Sequence, residues 1–390
     1  MRAGRNGPQI GGRLMQVLIT GGRGFLGRNL AARLSAIADC ETRVFGREDS
    51  AADLSRWLAA ADLIFHLAGV NRPRDVGDYE PGNAGLTQSI CDLLREARHS
   101  PTIVFASSVQ AELENPYGRS KRKAEQELRA FASQTGARLA IYRLKNLFGK
   151  WCRPNYNSVT ATFCHNIALG LPISISDPDT QLDLSYVDDV VAAFVEELAD
   201  SASPVEIPSY RIRLGELARR IQAFHESRAT FRVPTLAERF DQALYATYLS
   251  YVPAEALPYS LDIRCDARGS LAEFIKSEQF GQVFVSRTNP GVTRGNHYHH
   301  TKTEKFLVVE GDALIRMRAL EGGDVQQLRV RGTDYRVVNI PPGVTHSIEN
   351  VGAGELVTLF WSSEIFNANQ PDTYFLPVTP DGTAAPPEHR

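Results

Sequence analysis

Two motifs with incompatible structural demands share one chain of 390 residues. The run TGGRGFLG, Thr20 to Gly27, sits between the apolar segment QVLIT and the amphipathic segment FLGRNLAARLSAI. Glycines spaced this way between a strand and a helix let backbone amides and a helix N-terminus close on a pyrophosphate. Far downstream, Gly291 to Gly311 reads GVTRGNHYHHTKTEKFLVVEG, with histidines at i and i+2 in a β-rich setting. Such a pair on a strand faces one side, as two ligands of one ion must. A strand-to-helix glycine turn and a histidine-bearing strand belong to different layer architectures, so the chain requires two domains. Its length permits them.

The pattern along the chain supplies the boundary. QVLIT, ADLIFHLAG, TIVFASS and ARLAIYRL alternate with helix-like stretches such as SICDLLREAR, which predicts a parallel α/β sheet over residues 15–250. VPAEALPYS breaks the pattern, placing a linker at 251–261. From 262 to 377 the segments QVFVSRT, KFLVVEG, DALIRMRAL, YRVVNIPPG and LVTLFWSS are short and separated by turn residues, predicting an all-β antiparallel barrel or jelly roll. Residues 1–14 read as a disordered extension with Met15 as the start, and 378–390 as a loose tail. Net charge is -2, which gives no basis for a nucleic-acid or membrane-surface partner. The five cysteines are scattered and lack CxxC spacing, so a reducing, cytoplasmic setting is expected. No apolar run reaches the roughly 20 residues of a membrane span.

In the first domain the second strand runs into VFGRED. Arg47 stands where NAD-selective folds place an acid, and Arg23 lies inside the glycine loop. Both suit a 2'-phosphate, so NADPH is the expected cofactor, although Glu48 and Asp49 are adjacent. Further on, FASSVQAELENPYGRSK puts Ser107 and Ser108 at a strand end and Tyr117 four residues before Lys121. That spacing brings phenol and ammonium to one helix face. The expected consequence is a phenol pKa lowered toward working pH, with Ser108 hydrogen-bonded to a substrate carbonyl.

These residues, with HLAG at His66 to Gly69 and SYVDDVV at Ser185 to Val191, resemble the extended short-chain dehydrogenase/reductase family over Met15 to Ser250. The resemblance implies a Rossmann fold and a nucleotide-sugar substrate. It carries catalytic roles onto Ser108, Tyr117 and Lys121, and cofactor contacts onto Gly21, Arg23, Gly24, Phe25, Leu26, Gly27, Arg47, Asp53, Ala68 and Gly69. Asn83 matches the family's structural asparagine. The short separation between Ser108 and Tyr117 departs from many relatives.

In the second domain, Pro341-x-Gly343-x-x-His346 follows the first histidine segment. His297, His299, Glu304 and His346 form an N3O set suited to zinc, iron, manganese or nickel. The spacing is similar to the paired cupin motifs. Tyr298 and His300 face away on a regular strand, whereas a bulge would exchange His300 for His299. The histidines fit three uses: a catalytic metal, a stiffening metal, or direct substrate contacts.

The runs HLAGVNRP, NLFGKWCRPNYNSV and GNHYHHTKTEKFLVV resemble the bifunctional UDP-sugar reductase/epimerases of capsule and O-antigen synthesis over nearly all of Gln16 to Pro377. That resemblance implies carbon-3 epimerisation of a UDP-2-acetamido-2,6-dideoxy-4-hexulose in the cupin domain and NADPH-dependent carbon-4 reduction in the Rossmann domain. The product is then UDP-N-acetyl-6-deoxy-L-talosamine, on the route to UDP-N-acetyl-L-fucosamine. It implies sugar-nucleotide contacts from Lys145, Asn146, Arg153, Asn155, Tyr156 and Asn157. From the donor set the expected metal is a divalent ion, zinc first, and because cupins pair through their barrels a homodimer is expected. His299, Lys302 and Tyr335 are open as the proton-transfer group of the cup. The competing readings are a 4-ketosugar reductase whose cupin domain only dimerises it, a cofactor-sensing protein, and an iron oxygenase.

Overall fold

The computed structural model describes residues 14–199 and 204–379. The expected extension lies outside the described residues apart from Leu14, as does the expected tail apart from Val378 and Thr379. Val378 is not loose: it is buried, and its carbonyl accepts from Arg318 at 2.8 Å. The chain divides into two compact units, one of residues up to Gln222 plus Glu238–Pro253, the other of Ala223–Ala237 plus the chain from Ala254. The sequence pattern assigned Ala223–Ala237 to the first domain. That segment instead pairs backbone with the second unit, where Val233 N–H donates to Lys276 and Lys276 N–H to Phe231.

In the first unit, β1 (Met15–Thr20), β2 (Cys40–Phe45), β3 (Leu63–His66), β4 (Thr102–Ser108) and β5 (Leu139–Leu144) form a parallel sheet in the order β2-β1-β3-β4-β5. Every residue of β3 is buried, as expected of a strand covered on both faces. Connections run through α1 (Phe25–Leu34), α2 (Ala51–Ala60), α3 (Leu86–Glu96) and α4 (Pro116–Thr135). Leu18, Leu58, Ile64, Ile90, Phe105, Leu128 and Phe131 share one core cluster, each worth about 1.5–3 kcal/mol on burial. The direction of winding reverses between β1 and β3, so the carboxyl ends of these strands open a crevice at the switch point. A smaller sheet, β6 (Asn146–Phe148), β7 (Gln181–Tyr186) and β8 (Tyr210–Arg213), stands beside α5 (Val159–Ala168), α6 (Val187–Glu196), α7 (Leu214–Thr230) and α8 (Arg239–Leu249) in sequence. The boundary between the units falls inside α7.

The second unit is antiparallel throughout its two main sheets. One takes β9 (Ile263–Asp266), β10 (Gly269–Ser277), β11 (Gly281–Thr288), β13 (Glu304–Glu310), β16 (Val337–Ile340) and β18 (Leu356–Ser362); the other takes β12 (Thr293–Tyr298), β14 (Asp312–Ala319), β15 (Gln326–Arg331), β17 (Val344–Asn350) and β19 (Tyr374–Phe375). Phe306, Val308, Ile340 and Phe360 from the first sheet pack with Ile315, Val330 and Ile348 from the second. This is the sandwiched barrel that the short alternating segments predicted.

Candidate functional site

Gly21 turns the chain out of β1 at φ +70°, and a Cβ there would lie 2.7 Å from the Ala68 backbone. Only glycine permits that crossing of the glycine loop over the HLAG segment. Gly24 is the N-cap of α1 and carries no side-chain cap, so no capping side chain competes for the first-turn amides, including those of Phe25 and Leu26. Gly27 lies within α1 close against Gly22. Arg23 pairs with Glu48 at 2.7 Å and Asp49 at 3.5 Å, while Arg47 is exposed. The two acids that stood as alternatives beside the cationic end of β2 are therefore engaged by Arg23. Asp53 is occupied by a capping box: its carboxylate accepts from Ser50 and pairs with Arg56, which explains its place in the sequence without a cofactor.

Behind the loop, His66 is buried between the Thr20 hydroxyl at 2.7 Å and the Thr87 hydroxyl at 2.9 Å. Burial, and then the charge of Lys121, pull its pKa down to about 3, so it is a neutral linker joining β1, β3 and α3. Asn83 accepts the Val70 N–H at 2.9 Å and donates to the Ser120 hydroxyl at 2.9 Å, tying the strand-end loop to α4. The Gly69 α-carbon faces this pair: a Cβ there would lie 2.7 Å from the Asn83 amide oxygen and 3.2 Å from Lys121 Nζ.

Ser108 ends β4, and a single 3-10 turn at Val109–Glu112 leads to α4. Asn115 caps the helix by accepting the Gly118 N–H at 2.7 Å, and Pro116 occupies its first position. A Cβ on Gly118 would lie 2.1 Å from the Gln110 carbonyl oxygen. This contact is how the short separation between Ser108 and Tyr117 is accommodated: the helix is drawn directly onto the turn. The Tyr117 phenol is buried beside the Ser108 hydroxyl, and its ring lies 5.7 Å from that of Tyr79.

The expected lowering of the Tyr117 pKa does not occur in this structure. Burial raises it, and the neighbouring Ser108 hydroxyl opposes this only in part. Lys121 is directed elsewhere. Its ammonium donates to the Ala106 carbonyl at 2.9 Å, lies 4.8 Å from the Phe105 ring centre, and is pulled down to about 8 by burial, against the pull of Glu125. Beneath it, the buried Glu125 accepts from the Ser107 hydroxyl at 2.6 Å and from Arg143 at 2.8 and 2.9 Å.

A cleft of about 550 Å3 in the same unit is lined by Asn146, Asn155, Tyr156 and Asn157, four of the six residues expected at the sugar nucleotide. The other two are not brought to it. Lys145 donates to the Ser209 hydroxyl at 2.8 Å, and the Arg153 guanidinium sits 5.3 Å from the centre of the Tyr156 ring. Arg72 and Asn166 also line the cleft, and the sequence reading missed both. Arg72 was legible as the cation in HLAGVNRP.

In the second unit, ligand atoms of His297, His299, Glu304 and His346 all lie within 4.8 Å of one another. His297 and His346 are register partners of β12 and β17, with ring centres 4.6 Å apart. The strand bulges between Gly295 and His297, with Asn296 at φ +56°, so the irregularity falls before the histidines and keeps His299 on the face of His297. His300 packs its ring against Tyr374 instead, at 4.8 Å.

The donor set passes a test for a cation. His299 Nδ1 lies 2.5 Å from the Asp372 carbonyl and His346 Nδ1 lies 3.2 Å from the Val344 carbonyl, so each carries its proton on Nδ1. Both Nε2 atoms are buried and without a hydrogen-bond partner, yet they face a Glu304 carboxylate oxygen at 3.3 and 3.1 Å. Lone pairs facing a carboxylate at that distance repel unless a cation stands among them. Burial, then the neighbouring His346, holds His297 near 3, so it offers a neutral imidazole, as a divalent metal requires of a histidine ligand. The cavity above the cluster measures about 390 Å3, with Phe284, Phe306 and Phe360 among its walls. Lys302 lines it and Tyr335 does not: Tyr335 is 82% exposed and drops out as the proton-transfer group.

Comparison with known proteins sets these sites in context. Residues 17–208 match the NAD dependent epimerase/dehydratase family, and residues 264–374 match the polysaccharide biosynthesis C-terminal domain. The chain is 41% identical over 364 residues to the UDP-2-acetamido-2,6-beta-L-arabino-hexul-4-ose reductase of Pseudomonas aeruginosa, covering 92% of this chain and 98% of that one. The chain belongs to this reductase family. The solved structure of the capsular polysaccharide assembling protein CapF from Staphylococcus aureus superposes with a TM-score of 0.88 at 43% identity, covering 93% of this reductase and 100% of CapF. UDP-glucuronic acid 4-epimerase from Bacillus cereus, 15% identical with a TM-score of 0.51 over 61% of the chain, shares the fold of the N-terminal part. This member of the reductase family is thus a nucleotide-sugar enzyme with a Rossmann-type domain followed by an all-β domain. Among the described residues no helix is long and apolar enough to cross a membrane.

Proposed function

We propose that this reductase acts on a UDP-2-acetamido-2,6-dideoxy-4-hexulose in two steps: carbon-3 epimerisation in the metal cup, then NADPH-dependent reduction of the carbon-4 ketone, giving UDP-N-acetyl-6-deoxy-L-talosamine. The observation that carries the reading is the presence in one chain of a Ser108–Tyr117 pair in the Rossmann-type unit and a closed His3Glu cluster under a sugar-sized cavity. The 41% identity to a named 4-hexulose reductase supports the substrate class.

A ketone at carbon 4 acidifies the carbon-3 hydrogen, because its removal leaves an enolate; return of the proton to the other face inverts the centre. A divalent metal of the kind this N3O donor set suits, which we take to be zinc, would supply a Lewis acid when bound. His297, His299 and His346 would hold the metal, Glu304 would supply the anionic ligand, and Lys302, on the wall of the same cavity, is the group left to move the carbon-3 proton. The apolar wall of Phe284, Phe306 and Phe360 limits water at the enolate.

In the Rossmann-type unit, NADPH supplies the hydride when bound. Arg23 and Arg47 favour its 2'-phosphate, Arg23 having already engaged the acids that would repel it. Tyr117 is the proton donor. Its raised pKa keeps the phenol protonated at neutral pH, which is the form that reduction consumes. The Ser108 hydroxyl donates a hydrogen bond to the keto oxygen, and Lys121, held on the Ala106 carbonyl, keeps a positive charge on the same helix as the phenolate left behind. Because reduction removes the ketone, it makes the epimerisation irreversible.

Proton NMR of the 4-keto substrate with purified enzyme in deuterated water tests both steps. Deuterium should enter carbon 3 before NADPH is added, and the ketone should disappear afterwards. Reduction without exchange would reduce the second unit to a structural or dimerising part and leave a single-step reductase.

A further inference from the structure

The cavity above the metal cluster has a charge asymmetry that the two-step reading does not use. Arg264 on β9, Arg268 in the turn after it and Arg294 on β12 all line it. Exposure grades along it: the side chains of Arg264 and Arg268 are 67% and 44% exposed, whereas those of His346 and Glu304 are 1% and 11%. The arginines therefore mark its solvent end and the cluster its floor.

Their existing partners leave charge over. Arg268 pairs with Asp266 at 2.5 Å; Arg264 meets Glu273 only at 3.5 Å, and Glu273 is shared with Lys276 at 2.7 Å. Arg294 has no carboxylate partner among the described residues. It donates to the Thr288 hydroxyl at 2.9 Å and the Arg287 carbonyl at 3.3 Å. Burial and the neighbouring Arg268 work against its charge, and Asp266, itself paired with Arg268, offsets them only in part. A partly buried guanidinium whose nearest carboxylate, Asp266, is already ion-paired to a second arginine is costly to maintain, and an incoming dianion relieves that cost.

We propose that the mouth of the cup is a diphosphate-binding site in which Arg294, with Arg268 and Arg264, grips the pyrophosphate of a nucleotide sugar and leaves the sugar ring over the His3Glu floor. Guanidinium forks match phosphate oxygens in pairs, and the position fits the physics of the ligand. The charged diphosphate stays at the hydrated end, and the ring, which carries fewer charges, goes to the floor between aromatic walls. The assignment rests on the reading that the cup takes a sugar nucleotide. It adds that the cup recognises the phosphates itself, independently of the cleft in the first unit.

The test uses the full-length, metal-loaded chain with its dinucleotide site saturated with NADP+. Calorimetric titration with inorganic pyrophosphate should show a component in the wild type that is lost in Arg294→Gln and weakened in Arg268→Gln, with Arg294→Lys partly restoring it. Metal content and thermal midpoint serve as folding controls, and the exposed Arg268→Gln keeps the test open if Arg294→Gln does not fold. In parallel, the KM for deuterium exchange into the UDP-linked 4-keto sugar should rise about 10- to 100-fold in Arg294→Gln, the range for one lost charge-assisted contact. Superimposable pyrophosphate isotherms overturn the proposal, as does exchange with an unchanged KM. No exchange in the wild type together with a pyrophosphate component lost in Arg294→Gln sinks the epimerase reading while upholding the phosphate site.

Discussion

Asp372 gives the sharpest test of how the metal cup is held. Its Oδ1 accepts the His300 N–H at 2.9 Å, and its Oδ2 accepts the Thr301 N–H at 3.0 Å, the Thr301 hydroxyl at 3.0 Å and the Lys302 N–H at 2.9 Å. The same residue's carbonyl fixes the His299 ring through Nδ1. The side chain thus clamps the turn after β12 and sets the orientation of a metal ligand through the backbone. Hydrogen bonds to a charged acceptor are worth about 1.5–3 kcal/mol each, but His300 and Thr301 are exposed and their groups regain water when released, so the four do not add. Asp372→Ala should therefore cost about 2–4 kcal/mol. Asp372→Asn, whose single acceptor oxygen can occupy the Oδ2 position and keep three of the four bonds, should cost about 1–1.5 kcal/mol. Loosening the carbonyl on His299 should lower metal affinity about 10- to 100-fold in the alanine variant, the usual effect of removing an outer-shell partner. Competition of the metal-loaded protein against a chromophoric chelator reads the affinity, and urea denaturation reads the stability. An alanine variant that keeps wild-type metal affinity would refute the argument that this clamp positions His299, whatever its effect on stability.

Three further outcomes follow from the first unit. Tyr117→Phe should reduce NADPH oxidation by about 10²- to 10⁴-fold while deuterium exchange at carbon 3 persists; retained reduction removes Tyr117 as the proton donor. Lys121, held near 8 by burial, loses its proton as pH rises through that value, so kcat/KM for reduction should fall on an alkaline limb with an apparent pKa near 8. A limb near the ordinary lysine value would place the ammonium in a wetter setting than the structure shows. Gly118→Ala introduces a Cβ 2.1 Å from the Gln110 carbonyl oxygen and should cost about 1–3 kcal/mol, read as a lowered midpoint of denaturation, with reduction impaired through the displaced Tyr117. An unperturbed variant would show that the turn has room to retreat.

Much of this enzyme was legible in one dimension because the relevant physics is local. Period-two and helical alternation named the strands and helices, the strand-glycine-helix context named the dinucleotide loop, and i, i+2 histidines on a strand with a later His346 named the cup. Each depends on residues whose neighbours in space are set by the regular geometry of a single element or by a tight turn. Tertiary structure decided the rest. The bulge that could have exchanged His299 for His300 falls at Asn296, before both, and its place is set by the pairing of β12 with β17 rather than by the sequence of β12. The spacing of Tyr117 and Lys121 suggested a depressed phenol, but burial and the Ala106 carbonyl that takes the ammonium come from elements distant in sequence, and they reverse the shift. Asp53 was absorbed by a helix cap and Lys145 by Ser209, while Arg264, Arg268 and Arg294, unremarkable along the chain, converge on one cavity. Spacing determines which groups one element can present together; desolvation and partner choice depend on what packs against that element, and only the folded chain sets them.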